Sequence, residues 1–393
     1  MKKYKLGIVV THPIQYQVPL YKYLNAHSII DPYIFYLTKY GVMESYDPGF
    51  GRLVKYDIPL LEGYDYQFIS NLSLKPTPNT FAGAINPSLI KYIRKSSLDA
   101  VLFNGWNSVS NWMGILGSRF SKIPYIMRGD SQPDKFNNPS LKRKVKKIVI
   151  SSLLQNASAC LAIGSLNRRF YLDHGVPNDR IFDAPYSIDT QRFEQSGSKG
   201  RDEREYRLTS LGLDPKLPTI LFAAKLQSRK RPIDLIRAVD LINRPVNLLI
   251  IGDGPLYNDI IKMSETRPKM KVIGFVNQAE IGEWYGVTDI FVLPSDHEPW
   301  GLAVNEVMSA GAVPIVSDEV GCGPDLVTLE TGYIFKAGNI SNLADAVNKA
   351  ISQGISDVKR ETCIKKSREY GISVTASGFE TALNTIFNKG KFK

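Results

Sequence analysis

Residues 289–316 read DIFVLPSDHEPWGLAVNEVMSAGAVPIV. The first five are nearly all apolar and rich in β-formers, the pattern of a strand buried on both faces of a parallel sheet. Residues 301–310 hold good helix formers, Gly311 is a natural stop, and residues 313–316 (VPIV) open another buried strand. Strand, helix and strand in so short a span form the repeating unit of an open α/β sheet. Glu298 then stands at a strand's carboxyl end, where such sheets bind ligands. The amides of Trp300, Gly301 and Leu302 point from a helix N-terminus toward any phosphate placed there. Glu306 follows eight residues after Glu298, on a helix face shared with Leu302, Asn305 and Ser309. Its neighbours Val304, Val307 and Met308 are apolar, so a charge there needs a partner or a task. The ordinary alternative is a dipole-complementing Glu298 and a solvated Glu306.

Outward from this unit the same alternation continues. Residues 219–223, 246–251, 270–273 and 333–335 complete a second-half series of buried strands with helices in the intervals. Residues 6–10, 33–37, 100–103, 124–127 and 159–163 form a first-half series. The expected architecture is α/β, with two Rossmann-like parallel-sheet domains. The predicted bounds are 1–193 for the amino-terminal domain, 194–217 for a polar linker (EQSGSKGRDEREYR at its start), 218–372 for the second domain and 373–393 for a final helix. Residues 47–87, rich in Pro, Gly, Asn and Tyr, predict irregular loops on the first domain's side.

The 393 residues, 43% hydrophobic and 22% charged, suit a globular chain of two domains. The most apolar stretch, 148–163, is interrupted by Ser151, Ser152, Gln155, Asn156 and Ser158 and falls short of the roughly 20 apolar residues of a membrane span. The start, MKKYKLGIVV, reads as a first strand rather than a signal peptide. Cys160, Cys322 and Cys363 lack ligand spacing, and no two of the four histidines have helix-face metal spacing. No metal site is expected, and a cytoplasmic setting suits the cysteine usage.

A formal charge of +11 points to an anionic partner. Lys142, Arg143, Lys144, Lys146 and Lys147 crowd one stretch, while Leu141, Val145, Ile148, Val149 and Ser152 follow helical spacing. Two readings stay open: an amphipathic helix at an anionic membrane surface, such as the inner membrane face, or a core-packing helix with a solvated basic face. Nucleic acid is not expected, because only Val145 interrupts the charges and no aromatic is interleaved.

Glu298 and Glu306 at this spacing, with Gly301-Leu302 between them and Ala310-Gly311 at the close, resemble the donor-site signature of the family 4 glycosyltransferases, retaining enzymes of GT-B fold. Residues 219–230 (TILFAAKLQSRK) resemble the family's Gly-Arg-Leu-x-x-x-Lys segment, with Ala224 and Lys225 in place of Gly and Arg. Residues 250–256 (IIGDGPL), 272–276 (VIGFV) and 185–193 (PYSIDTQRF) match further blocks in order. The resemblance implies two domains facing each other across a cleft, and a helix at 373–393 that crosses back to the first. It implies a nucleoside diphosphate sugar as donor, UDP- or GDP-linked, with no cofactor or metal required. By the same resemblance Lys225 and Lys230 neutralise the diphosphate, Glu298 contacts the donor sugar, Glu306 accepts from the ribose hydroxyls, and the backbone at Phe275 and Val276 faces the base. Transfer to a saccharide or lipid-linked saccharide, in polysaccharide or glycoconjugate synthesis of the cell envelope, is what the family suggests.

The chain departs from the family in residues 11–19 (THPIQYQVP), which lack the usual glycine pair. His12, at a strand's carboxyl end, is a candidate to bind or deprotonate an acceptor hydroxyl, with Gln15 and Tyr16 beside it. Asp130 and Trp106 follow other strands and are candidates for the acceptor side, the indole offering a stacking face for a sugar. The blander alternatives are a loop-bonded histidine and an aspartate paired with Arg128. A nucleotide-sugar epimerase of the same architecture and a non-enzymatic polyanion binder are the competing functions.

Overall fold

The computed structural model describes residues 3–42, 44–47, 49–54, 57–133 and 140–388. Along the chain the first strands are β1 (Tyr4–Val10), β2 (Ile30–Tyr36), β3 (Ser45–Asp47), β4 (Arg52–Val54), β5 (Asp65–Phe68), β6 (Ala100–Asn104), β7 (Tyr125–Arg128), β8 (Ala159–Ala162) and β9 (Ile181–Asp183). Then follow β10 (Thr219–Ala223), β11 (Asn247–Ile251), β12 (Met270–Gly274), β13 (Ile290–Leu293), β14 (Val313–Ser317) and β15 (Tyr333–Phe335).

Two compact units result. The first comprises residues 1–43, 59–187 and 372–393. Its sheet has seven parallel strands in the order β5-β2-β1-β6-β7-β8-β9. The central strands are Val, Ile, Leu and Phe runs buried on both faces, with Leu6, Ile34, Phe35, Val101, Leu102 and Phe103 fully enclosed. The helix Ile372–Asn388 belongs to this unit and lies against β8 and β9. A side-chain carbon on Gly378 would sit 2.1 Å from the Asp183 carbonyl oxygen, so only glycine permits that approach. Phe379, Ala382 and Leu383 are buried beneath the helix.

The second unit comprises residues 44–58 and 188–371, with six parallel strands in the order β12-β11-β10-β13-β14-β15. Asp289, just before β13, accepts from the Thr219 amide at 2.8 Å and Arg204 Nη2 at 2.8 Å, and also from Arg360. One carboxylate thereby ties two strand starts to two outer helices.

Three expectations change. Residues 194–217 are no linker: they carry the helices Thr190–Asp202 and Arg204–Ser210 within the second unit. The first packs its Gly197 and Gly200 against the helix Ile281–Val287. A side-chain carbon on Gly200 would lie 2.0 Å from Glu283 O, and one on Gly286 2.1 Å from Gly197 O. Small residues replace an apolar stripe there, which is why the segment looked like coil. Residues 47–87 are less irregular than predicted, holding the β3–β4 hairpin and edge strand β5, and residues 44–58 group with the second unit, not the first. The helix Leu141–Gln155 faces the core through Ile150, Leu153 and Leu154, not through the stripe of Leu141, Val145, Ile148, Val149 and Ser152. No helix among the described residues is long and apolar enough to cross a membrane.

Candidate functional site

At the carboxyl edge of the second sheet, the chain leaves β10 through Lys225 and reaches Lys230 in a short 3-10 turn, Ser228–Lys230. This path runs beside the glycine pair after β11. Gly252 and Gly254 have φ of 143° and 149°, and a side-chain carbon on Gly252 would lie 2.0 Å from Ala224 O. Glycine there lets the loop backbones meet.

Lys230 is buried and bonded to Glu298, with Arg229 Nη1 at 3.8 Å from the same carboxylate. Burial lowers the Lys230 pKa, and Glu298 works against that shift. Glu298 is itself fixed by backbone: its amide donates to Glu319 O at 3.1 Å and its carbonyl accepts from the Gly321 amide at 2.9 Å. Lys225 Nζ lies 2.8 Å from both carboxylate oxygens of Asp47 and 4.6 Å from the centre of the Phe50 ring. Burial acts to raise the Asp47 pKa, but Lys225 and the Gly49 and Phe50 amides hold it below the usual carboxylate range.

Gly301 precedes the helix Leu302–Ser309 at φ 99°, a left-handed conformation that opens the turn between Glu298 and the helix. Trp300 is buried and donates to Asn305 Oδ1 at 2.9 Å. Asn305 Nδ2 finds no partner among the described residues. Glu306, in the helix's second turn, accepts from Tyr285 OH at 2.9 Å. Burial pushes its carboxyl up to about 7, against the pull of Tyr285 and the Arg192 charge. Glu306 is thus buried, and Tyr285 is its partner. After β12, Phe275 meets Phe50 edge-on at 5.0 Å, and the Arg52 guanidinium lies 5.1 Å above its ring.

The structure therefore gathers Lys225, Lys230, Phe275, Val276, Glu298, Trp300, Gly301, Leu302 and Glu306 on the loops and the helix at one edge of one sheet. Asp47, Phe50, Arg52 and Tyr285 were missed. The first three lie more than 170 residues from Lys225 in the chain, and no local pattern marks Tyr285.

In the first unit, His12, Gln15 and Tyr16 follow β1, Trp106 follows β6 and Asp130 follows β7. His12 Nδ1 is 2.9 Å from Thr11 Oγ1, and its ring meets Tyr40 edge-on at 5.2 Å. Burial lowers its pKa to about 4, so the ring is neutral at pH 7 but a weak base. Tyr16 packs edge-on against Tyr186 at 5.4 Å. Burial first, then the Asp130 charge, raises its pKa. Gln15 Oε1 is buried with no partner among the described residues. Trp106 departs from expectation: the indole is 8% exposed and stacks on Phe170 at 6.0 Å, within the core. Little of it is left to receive a sugar. Arg128 is buried, donating to the Ala184 and Pro185 carbonyls at 3.0 and 2.9 Å.

Residues 204–370 match the family model of the glycosyl transferases group 1. The matched residues lie within the second unit and make up under half of the chain. Among curated proteins, the chain is 28% identical over 170 residues to the sulfoquinovosyl transferase SQD2 of Arabidopsis thaliana, covering 42% of this chain and 32% of that one. It is 24% identical over 294 residues to the UDP-Gal:alpha-D-GlcNAc-diphosphoundecaprenol alpha-1,3-galactosyltransferase of Escherichia coli, covering 71% and 73%. The match thus spans about a third of the first relative's length. Among solved structures, a glycosyltransferase from Rickettsia africae ESF-5 superposes with a TM-score of 0.75 at 16% identity over 98% of this chain and 99% of that one. Anabaena HepE in complex with UDP and glucose superposes with 0.71 at 15% identity, over 97% and 100%. At these identities the likeness establishes the GT-B fold alone, and the two parallel sheets agree with it.

Proposed function

We propose that this chain is a group 1 glycosyltransferase that moves a sugar from a nucleoside diphosphate sugar to a hydroxyl of a saccharide or lipid-linked saccharide, in the synthesis of cell-envelope glycoconjugates. The observation that carries the reading is the Lys230–Glu298 pair beside Lys225 at the carboxyl edge of one sheet, followed directly by the helix that holds the buried Glu306. Lys225 and Lys230 face the diphosphate, Glu298 contacts the donor sugar, Glu306 accepts from the ribose hydroxyls, and the backbone at Phe275 and Val276 faces a uracil or guanine base. The UDP-glucose in complex with Anabaena HepE and the UDP-Gal in the name of the Escherichia coli relative support a nucleotide donor of this class.

Negative charge grows on the departing diphosphate as the glycosidic bond breaks. Cations and amides already aimed at it stabilise the transition state more than the ground state, because their orientation has been fixed by folding. The two lysines supply charge that a divalent cation supplies elsewhere, so the proposed reaction needs no metal, and the family resemblance makes it retaining. His12, Gln15, Tyr16 and Asp130 are the proposed acceptor-side groups. The neutral, weakly basic His12 ring suits hydrogen bonding to the acceptor hydroxyl better than full proton removal.

The test is a thermal-shift series in EDTA with UDP, GDP, ADP and CMP on the wild type and on Glu306→Gln. A shift by UDP or GDP that the variant loses supports the assignment. The same shift in both proteins removes Glu306 from the site.

A further inference from the structure

The helix Leu141–Gln155 carries two apolar stripes. Ile150, Leu153 and Leu154 face the core. At about 100° per residue, Leu141, Val145 and Ile148 share an arc of about 60° on the opposite side. They are 78%, 53% and 69% exposed. This second stripe is therefore not the rim of the packing face. Nothing among the described residues covers it, and Val149 beside it is 45% exposed.

Cations border the stripe on both sides, Lys142 and Lys146 on one and Lys144 and Lys147 on the other. All four are exposed, and none makes an ion pair with a described residue. The helix holds no acidic residue. A surface groove of about 500 Å³ opens along it, lined by Lys144, Lys147, Ser151, Ser152 and Asn156 among others. Ammonium, hydroxyl and amide donors beside an apolar wall suit a phosphate head group attached to acyl chain.

We propose that this helix is a docking surface for an anionic lipid bilayer. Leu141, Val145 and Ile148 enter the boundary between head groups and acyl chains, and the flanking lysines reach lipid phosphates. Charge alone fits any polyanion. The outward stripe is what singles out a membrane, since a nucleic-acid backbone offers nothing for three branched aliphatic side chains. This inference does not depend on the donor site.

The experiment is flotation of the full chain with vesicles of phosphatidylcholine alone or with a quarter phosphatidylglycerol, in 50 and 500 mM NaCl. The wild type is expected to partition at least tenfold better onto the anionic vesicles at low salt. Leu141→Asn/Val145→Asn/Ile148→Asn should lose tenfold or more, as should Lys142→Gln/Lys144→Gln/Lys146→Gln/Lys147→Gln. All altered side chains are exposed, so melting temperatures and nucleotide-induced shifts should stay as in the wild type. This keeps failure of docking separate from failure of the donor site. Equal partition onto both vesicle types overturns the proposal. So does a stripe variant that binds like the wild type, and so does wild-type protein that binds a 30-mer oligonucleotide more tightly than anionic vesicles.

Discussion

Lys225 holds both carboxylate oxygens of Asp47 at 2.8 Å, across 178 residues of chain. The aspartate is anchored from behind by the Gly49 amide at 2.7 Å and the Phe50 amide at 3.2 Å. A carboxylate thus stands where the proposed reading puts a phosphate oxygen, and a diphosphate must replace or share it. Asp47→Asn should tighten binding of UDP or GDP about tenfold, a gain of ~1.4 kcal/mol, in isothermal titration. Weaker binding would mean that Asp47 orders the site instead of competing for it.

Glu306 ties donor binding to pH. Its folded pKa of about 7 lies above the unfolded value of about 4.3. The protonated form therefore favours the native state. That contribution is complete below the unfolded pKa and is lost as pH rises through about 7, an effect on the order of 3 kcal/mol in the ligand-free protein. Glu306→Gln should flatten the fall in melting temperature between pH 5 and 8.

Accepting from ribose hydroxyls is stronger for the ionised form of Glu306, because charge-assisted hydrogen bonds exceed those to a neutral carboxyl. Nucleotide affinity in the wild type should accordingly rise from pH 6 to pH 8, with proton release on binding near pH 7. Calorimetry in buffers of different ionisation enthalpy reads the proton directly, and a pH-independent affinity with no proton released would contradict the role. Tyr285→Phe removes a bond that favours the ionised form, so it should move the midpoint of this rise upward.

The buried Lys230 and the partly buried Glu298 are a pair whose halves depend on each other. Lys230→Ala should cut nucleotide affinity by well over tenfold and also lower the melting temperature, because Glu298 loses its main counter-charge, a change that typically costs about 3–5 kcal/mol. The double variant Lys230→Met/Glu298→Gln should recover most of the stability and none of the binding. Recovery of both would show that the pair is structural.

Gly301→Ala probes the turn that launches the 302–309 helix. Its φ of 99° is strained for any other residue, and the added carbon would stand 3.0 Å from Val320 Cγ1. A loss of about 1–3 kcal/mol in urea unfolding is expected. An unchanged midpoint would mean that the turn relaxes freely.

The central strands were readable because burial on both faces forces unbroken runs of Val, Ile, Leu and Phe. β5 and β9 were not, since DYQF lies at a sheet edge with mixed exposure and IFD is only three residues long. Lys225, Lys230, Glu298 and Glu306 could be placed at the carboxyl edge of the second sheet because each follows a recognisable strand or sits in a recognisable helix. Asp47 and Tyr285 reach the same edge by tertiary packing, which leaves no trace in spacing. The 190–202 helix was hidden by Gly197 and Gly200, which pack backbone against backbone and carry no apolar period. Trp106 misled for the converse reason: a loop position suggested exposure, and Phe170 across the core takes up the indole face.

Neither unit is one continuous stretch of chain, and this bears on how the molecule is made. Residues 44–58 leave the ribosome long before Lys225 exists to hold Asp47. The face of β8 and β9 stays bare until Phe379, Ala382 and Leu383 have been added. Contacts so distant in sequence close slowly, and open strand faces attract other nascent chains. Productive folding of the first sheet thus waits for the last helix, and a message truncated shortly before it would encode an aggregating product rather than a smaller working one.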